Sequence, residues 1–341
     1  MQKSKNMKRG NLTDLAEKTG YSISTVSRVL NGKGDEYRIS KSTVEKILHM
    51  AEEINYKPNL IAQSLRNNTT HTIGLLIPHI DNPFFANIAN VLIREAQKFG
   101  YIVILIDTME SPSFESEAIN SLLARSIDGI IIVPTGEDPT KLEEVNLKTP
   151  IVLIDRYFKH HNLPFVSTDN YKGAYQGTKL LLESGHRRIL CIQGPKISIT
   201  TKERIRGFMD AMQEYGRQDE ALIRGNDFSI KNGYIETKLI LSSEIKPTAI
   251  FALSNTILLG VLKALNEHKL IIPKDMSVIS FDDNLYLDYL NPPITRIVQP
   301  IEEIGIIAVK ILMQKIAEEK NIHSEILLQP TIYKRDSIKM T

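Results

Sequence analysis

The chain has 341 residues, enough for two or three domains, and its 42% hydrophobic and 24% charged residues are typical of a globular protein. One cysteine excludes an internal disulfide framework, and no apolar run is long enough to span a membrane. The basic start is not followed by the apolar segment of a signal peptide, so we expect a cytoplasmic protein. Residues 1–70 carry 12 lysines and arginines against 7 acidic residues, within a total net charge of +2. This distribution is expected when only the amino-terminal part contacts phosphates.

Residues 11–32 have the pattern of a helix-turn-helix. Apolar residues recur at helical spacing on both sides of Gly20, which permits a tight turn. The outer face of the second helix carries short hydroxyl groups and one arginine, which suit DNA base edges and phosphates. A small helical hairpin with a solvated face would show the same pattern. The predicted DNA-contacting residues of this segment are Ser22, Ile23, Ser24, Thr25, Ser27, Arg28 and Asn31.

A third helix and a hinge follow. Ser40 is placed to cap the third helix and Pro58 to end it, which defines a helix-turn-helix domain over residues 10–57. Residues 58–70 then read as a short hinge helix and a polar linker. The apolar Leu65 of this hinge either packs on the neighbouring domain or acts as a wedge in the minor groove of DNA.

From residue 71 onward, short apolar runs alternate with helical patterns, which predicts an α/β fold with parallel sheets covered on both faces. This alternation of strands and helices occurs twice along the chain, which predicts two lobes. We assign residues 71–166 and 300–329 to the first lobe, and residues 167–299 and 330–341 to the second. Residues 71–341 thus form the predicted effector-binding and dimerisation domain.

Ligands of open parallel sheets bind beyond the carboxyl ends of the strands. The residues directly after the predicted strands are carboxylates, an arginine, amides and aromatic rings. Carboxylates and arginines suit vicinal hydroxyls, and aromatic rings suit the apolar face of a sugar ring. The chemistry of these strand ends therefore favours a sugar over a nucleotide phosphate.

The amino-terminal motifs resemble the lac-repressor (LacI/GalR) family of bacterial transcription regulators. The residues that carry the resemblance are GYSISTVSRVLNG, YRIS, INYKPNLIAQSLR and HTIGLLIP, and the likeness covers essentially all of the chain after residue 10. It implies that Ile23, Ser24 and Arg28 read bases, that Leu65 opens the central base step, and that Ala62 lies on the same face of the hinge helix. It also implies a homodimer that represses transcription from a roughly palindromic operator. Position 23 is often polar in relatives, whereas here it is isoleucine.

The body also resembles the periplasmic sugar-binding proteins of the ribose-binding type. The resemblance implies an effector site formed by a ring-holding loop, an acid–arginine pair, a second arginine, an opposing aromatic ring, a late carboxylate and a crossover amide. At one position ribose binders have asparagine and this chain has Ser254. The implied effector-binding residues are Asn82, Phe84, Phe85, Asp155, Arg156, Arg204, Phe228, Ser254, Asp282 and Gln299.

No phosphate loop, nucleophile elbow, zinc-protease motif or cysteine pair is present, so we expect no catalytic residue, no metal and no cofactor. The predicted function is a DNA-binding repressor of carbohydrate-utilisation genes that a small sugar-like effector controls. Three alternatives stay open at this point. They are the same regulator with a purine or phosphorylated effector, a plain solute-binding protein, and an enzyme on a two-lobe frame.

Overall fold

The computed structural model describes residues 11–56, 69–318 and 324–340. The chain divides into two compact units, one up to Thr70 and the other from His71 onward. The predicted hinge helix, with Ala62 and Leu65, lies outside the described residues. The two DNA-contacting roles assigned to it therefore stay predictions.

In the described residues 11–56, the first unit has three helices: α1 (Leu12–Thr19), α2 (Ile23–Leu30) and α3 (Lys41–Glu53). Each begins at a capping side chain, because Asn11, Ser22 and Ser40 accept hydrogen bonds from backbone N–H groups of the first turn. Gly20 follows α1 with φ of 76°, a left-handed conformation that glycine adopts without strain. The buried core of this unit consists of Leu15, Ala16, Val26, Val29, Ile47 and Ala51. The predicted helix-turn-helix and its third helix are confirmed.

Strands and helices alternate through most of the second unit. Its strands are β1 (Thr72–Ile77), β2 (Ile102–Asp107), β3 (Gly129–Ile132), β4 (Ile151–Ile154), β5 (Phe165–Thr168), β6 (Ile189–Ile192), β7 (Ala221–Arg224), β8 (Ala249–Ala252), β9 (Ser277–Phe281), β10 (Thr295–Val298), β11 (Glu325–Leu328) and β12 (Thr331–Tyr333). Its helices are α4 (Pro83–Lys98), α5 (Pro112–Leu123), α6 (Thr140–Asn146), α7 (Asn170–Glu183), α8 (Ile199–Glu214), α9 (Ile230–Ser242), α10 (Asn255–Glu267) and α11 (Ile301–Ile316).

The strands form two six-stranded sheets, one in each lobe. The first sheet has the order β11-β5-β4-β3-β1-β2 and is entirely parallel. Helices α4 and α11 pack on one of its faces, and α5 and α6 cover the other. Its central strands are therefore apolar along their whole length, as in the buried run of β3. The second sheet has the order β12-β10-β9-β8-β6-β7, with α7 and α8 on one face and α9 and α10 on the other.

Three chain segments connect the lobes. The chain passes from β5 to α7 through Asp169, from β10 back to α11 through Gln299 and Pro300, and from β11 to β12 through Gln329 and Pro330. Carboxyl ends of the parallel strands of both sheets therefore meet between the lobes, near these connections.

The structure departs from the predicted elements in two respects. Strands β5, β7, β10, β11 and β12 were not predicted, because each is short and a polar or charged side chain interrupts its apolar run. The sheets were predicted to be parallel, but β12 pairs antiparallel with β10. The reason is that the chain re-enters the second lobe at the carboxyl end of β10: β12 begins at Thr331 beside Val298, the last residue of β10, and so runs in the opposite direction.

In the part of the chain that the structure describes, no helix is both long enough and apolar enough to cross a membrane.

Candidate functional site

The outer face of α2 in the first unit is exposed. Ile23, Ser24 and Arg28 lie on this face, whereas Val26 and Val29 of the same helix are buried in the core. The predicted division of α2 into a packing face and a free face is therefore confirmed. The free face combines an apolar group, a hydroxyl and a guanidinium, which are suited to a thymine methyl group, a phosphate and a guanine edge.

The other predicted DNA-contacting residues of α2 are hydrogen-bonded within the helix ends. Ser22 caps the helix, and its hydroxyl lies 2.9 Å from the Thr25 hydroxyl. At the other end, Asn31 Nδ2 donates to the carbonyl oxygen of Ser27 at 2.6 Å. These hydrogen bonds stabilise the two ends of α2. The DNA contacts of the same four residues stay predictions.

In the second unit, a cavity lies between the two lobes. The residues around it come from the ends of strands and the starts of helices in both sheets. Its lining residues are Asn82, Phe84, Phe85, Asp155, Arg156, Thr200, Arg204, Phe228, Ser254, Asp282 and Gln299. All ten residues named from the sequence thus line one cavity, together with Thr200, which the sequence did not single out.

Two carboxylates face the cavity from opposite lobes. Asp155 follows β4 and Asp282 follows β9, and each is only 4% exposed. Both have a left-handed backbone, with φ of 60° and 74°. Aspartate tolerates this conformation better than most residues, and such strain often marks a ligand site. The backbone therefore turns away from each sheet at the residue whose carboxylate faces the cavity.

Asp282 is tied to the connections between the lobes. Its Oδ1 accepts a hydrogen bond from Gln299 Nε2 at 2.6 Å, and its Oδ2 accepts one from the backbone N–H of Asn255 at 3.2 Å. Gln299 in turn accepts a hydrogen bond from the Thr168 hydroxyl at 2.6 Å. A hydrogen-bond chain thus joins the second-lobe carboxylate to two of the three connecting segments.

Arg204 of α8 is buried, with only 3% of its surface exposed, and three contacts hold its side chain in place. Its guanidinium lies 3.8 Å from the centre of the Phe281 ring, Nε donates to Asn170 Oδ1 at 2.7 Å, and a terminal nitrogen donates to the Leu253 carbonyl at 2.5 Å. These contacts fix the guanidinium in one orientation, as recognition of paired hydroxyls requires.

Arg156 forms a bidentate pair with Glu110 at the first-lobe side of the cavity. Its Nε lies 3.9 Å from Asp155 Oδ2, too far for a hydrogen bond, and has no hydrogen-bond partner among the described residues. Burial raises the pKa of Asp155 to about 6, and the attraction of Arg156 and Arg204 only partly opposes this effect. Asp155 is therefore a desolvated carboxylate whose charge the protein itself compensates only in part.

Three aromatic rings complete the walls. Phe84 and Phe85 pack edge to face, with ring centres 5.1 Å apart. Phe228 faces the cavity from the second lobe and lies against Gly194, where an added Cβ would come within 2.3 Å of the ring. Glycine at position 194 is therefore required for Phe228 to occupy this place.

Two predicted site residues also cap helices. Asn82 Oδ1 accepts from the backbone N–H of Phe84 at 3.0 Å, and Ser254 Oγ accepts from that of Ile257 at 3.1 Å. The hydroxyl of Thr200 bonds that of Ser198 in the first turn of α8. The sequence signal for Thr200 was weak, because a hydroxyl at a helix start is most often a cap.

Comparison with known proteins places both units in one family. A family described as bacterial regulatory proteins, lacI family, matches residues 11–59. A second, described as periplasmic binding proteins and sugar binding domain of LacI family, matches residues 70–336.

Individual relatives agree with this assignment. A ribose operon repressor of Haemophilus influenzae is 31% identical over 332 residues, which cover 96% of this chain and 98% of that protein. A solved lac repressor dimer bound to operator and the anti-inducer ONPF matches with a TM-score of 0.89 at 26% identity, over 97% of this chain and all of that one. A LacI family transcriptional regulator from Enterococcus faecium with bound ribose matches with a TM-score of 0.73 at 28% identity, over 79% of this chain and 99% of that one.

The helix-turn-helix unit, the two-lobe body and these matches lead to one conclusion: the chain belongs to the LacI family of bacterial regulatory proteins, which are DNA-binding transcription regulators.

Proposed function

We propose that this regulator is a homodimeric repressor of carbohydrate-utilisation genes, and that a small sugar bound between the lobes controls its affinity for a roughly palindromic operator. The observation that carries the proposal is that carboxylates, guanidinium groups and aromatic rings from both lobes line one cavity. The ribose operon repressor and the ribose-bound regulator among its relatives support a sugar effector. Such a regulator acts in the bacterial cytoplasm, where operators lie.

The charges around the cavity favour a neutral ligand. Two carboxylates, Asp155 and Asp282, face two guanidinium groups, Arg156 and Arg204, so the lining residues carry no net charge. A phosphorylated effector would need an excess of positive groups at this place. Vicinal hydroxyls match the paired acceptors and donors better than a purine ring does.

We infer that the effector acts by changing the angle between the lobes. It would touch groups of both lobes, among them Asp282, which is hydrogen-bonded to the connecting segment through Gln299. A ligand shifts such an equilibrium only by its differential affinity for the two arrangements. The changed angle would alter the spacing of the two hinges in the dimer, and with it the fit to two half-sites.

On DNA, each copy of α2 is proposed to lie in a major groove. Ile23, Ser24 and Arg28 would contact base edges, while Leu65, by the family resemblance, would open the central base step from the minor groove. Two-fold symmetry of the dimer then corresponds to the two halves of the operator.

A thermal-shift screen tests the effector class. The purified full-length chain is melted with D-ribose, D-xylose, L-arabinose, D-glucose, ribose 5-phosphate and hypoxanthine. We expect one free sugar to raise the melting temperature by about 5–10 °C at a hundredfold excess over its Kd, because a ligand that binds only the native state stabilises it. Ribose 5-phosphate should give no shift, since its charge is not matched by the cavity.

Each other outcome of the screen overturns part of the proposal. A shift only with the phosphorylated sugar or the purine would keep the regulator and reject the neutral sugar. No shift with any of the six compounds would reject a small-sugar effector for this cavity.

Replacing Arg28 by alanine should weaken operator binding by about 1–3 kcal/mol, because a bidentate contact to guanine would be lost. The operator is first selected from random-sequence DNA with the wild-type protein, and affinities are then measured by fluorescence anisotropy. The base preference should weaken at one position of each half-site. Binding to unrelated DNA should change much less.

The matched control is Arg125→Ala, which removes an exposed arginine from the body. It should leave operator affinity unchanged. An Arg28→Ala variant that binds its operator as tightly as the control would remove Arg28 from the DNA-contacting face.

A further inference from the structure

A concave surface on the first unit extends beyond the outer face of α2. We call it the reading face, and it includes two residues from the segment after α2 that the sequence did not single out, Lys33 and Tyr37. The residues lining the reading face are Leu12, Ile23, Ser24, Ser27, Arg28, Asn31, Lys33 and Tyr37. The aromatic ring of Tyr37 therefore lies beside the side chains that are proposed to contact DNA bases.

Tyr37 holds the guanidinium of Arg28. The central carbon of that guanidinium lies 3.9 Å from the centre of the Tyr37 ring, a cation–π stack. Among the residues that the structure describes, none forms a hydrogen bond or an ion pair with the Arg28 guanidinium, so the stack is what fixes its orientation. Tyr37 is itself 44% exposed, so its ring can be reached from solvent.

The segment that carries Tyr37 is itself fixed to α2 and to the core. Backbone hydrogen bonds run from Lys33 N to Arg28 O at 2.9 Å, from Tyr37 N to Lys33 O at 3.2 Å, and from Ile39 N to Gly34 O at 2.9 Å. Ile39 packs against the buried core of this unit. Since both ends of the segment are anchored, the ring has a defined position relative to α2.

We propose that Tyr37 is a positioning residue for DNA recognition: it holds the guanidinium plane of Arg28 so that its N–H donors point toward a base edge. A stack occupies the face of the guanidinium and leaves the in-plane donors free. Those donors are the groups that form the bidentate contact to guanine. Fixing the plane before binding reduces the entropy that is lost when the contact forms. The inference rests on the proposed DNA-binding function.

The test compares Tyr37→Leu, which removes the stack, with Tyr37→Phe, which keeps it. On the operator selected with the wild type, Tyr37→Leu should weaken binding by about tenfold, within the range of cation–π contacts. It should also flatten the base preference at the position that Arg28→Ala affects. Tyr37→Phe should retain that preference. In the Arg28→Ala background, Tyr37→Leu should have no further effect on it, because there is then no guanidinium to hold.

Two measurements separate this role from a structural one. Melting temperatures report whether Tyr37→Leu still folds, and binding to unrelated DNA reports any loss of simple phosphate contacts. Tyr289→Leu, at an exposed tyrosine of the body, is the matched control. An unchanged base preference in Tyr37→Leu, or an equal loss on operator and unrelated DNA, would overturn the inference. If the wild type itself selects no sequence, the proposed DNA-binding function fails instead.

Discussion

An Arg204→Met variant should lose the effector response while it still binds operator DNA. Methionine keeps an apolar chain over Phe281 but removes the donors that face the cavity. Truncating one member of a buried charged contact lowers affinity by about 2–5 kcal/mol, so the effector Kd should rise at least about thirtyfold. The pKa of Asp155 should rise further in this variant, because the attraction of Arg204 that partly opposes the effect of burial would be lost.

Effector binding is measured by titration calorimetry with the sugar found in the thermal-shift screen, and operator binding is measured with and without that sugar. Arg206→Met is the matched control, since Arg206 lies on the same helix but pairs with Glu203 outside the cavity. It should bind the sugar like the wild type. If Arg204→Met also binds the sugar with wild-type affinity, the effector site lies elsewhere.

An Asp155→Asn variant should be more stable than the wild type at pH 7. Burial raises the pKa of Asp155 from 3.8 to about 6, so the folded chain holds a proton that the unfolded chain releases between these pH values. The unfolding free energy of the wild type therefore falls as the pH rises through this window, by about 3 kcal/mol. Asparagine resembles the protonated acid and tolerates the same left-handed backbone. The variant should thus gain about 3 kcal/mol at pH 7.

The same substitution should weaken sugar binding, because a charged acceptor for hydroxyl groups is lost. For the wild type, sugar affinity should fall as the pH drops below about 6 and the carboxylate gains its proton. Denaturant titrations at pH 4.5 and pH 7 measure the stability effect, with the exposed Asp81→Asn as control. An Asp155→Asn variant that is less stable than the wild type at pH 7 would show that the carboxylate is needed for folding.

Asp155 and Thr200 line the same cavity, but only the position of Asp155 could be predicted from the sequence. Asp155 follows a buried apolar strand, and carboxyl ends of parallel strands converge, so its place in the cavity could be predicted. Thr200 follows no strand, and a hydroxyl at a helix start has a capping role that masks a ligand role. The place of Asp155 thus follows from strand order, whereas that of Thr200 depends on the packing of α8; Arg204 of the same helix could be named only through the family resemblance.

Contacts between segments that are distant in the chain could not be predicted from the sequence either. The hydrogen bond from Thr168 to Gln299 joins two connecting segments far apart in the chain, and no periodicity in the sequence encodes it. The place of Tyr37 over Arg28 depends on the path of an irregular segment, which only its backbone hydrogen bonds define. In both cases the sequence shows the residue types, but the role of each residue depends on three-dimensional contacts that the sequence pattern does not predict.

The three connections between the lobes have a consequence for the order in which the chain folds. Most strands of the first sheet have been synthesised by Thr168, yet α11 begins only at Ile301 and β11 at Glu325. Until these elements emerge from the ribosome, the apolar face that α11 will cover stays open, and β5 is an unprotected edge. The second sheet is likewise incomplete until β12, its edge strand beside β10, has been synthesised. We therefore expect the two lobes to complete folding together, late in synthesis and slowly, since their last contacts join residues far apart in the chain.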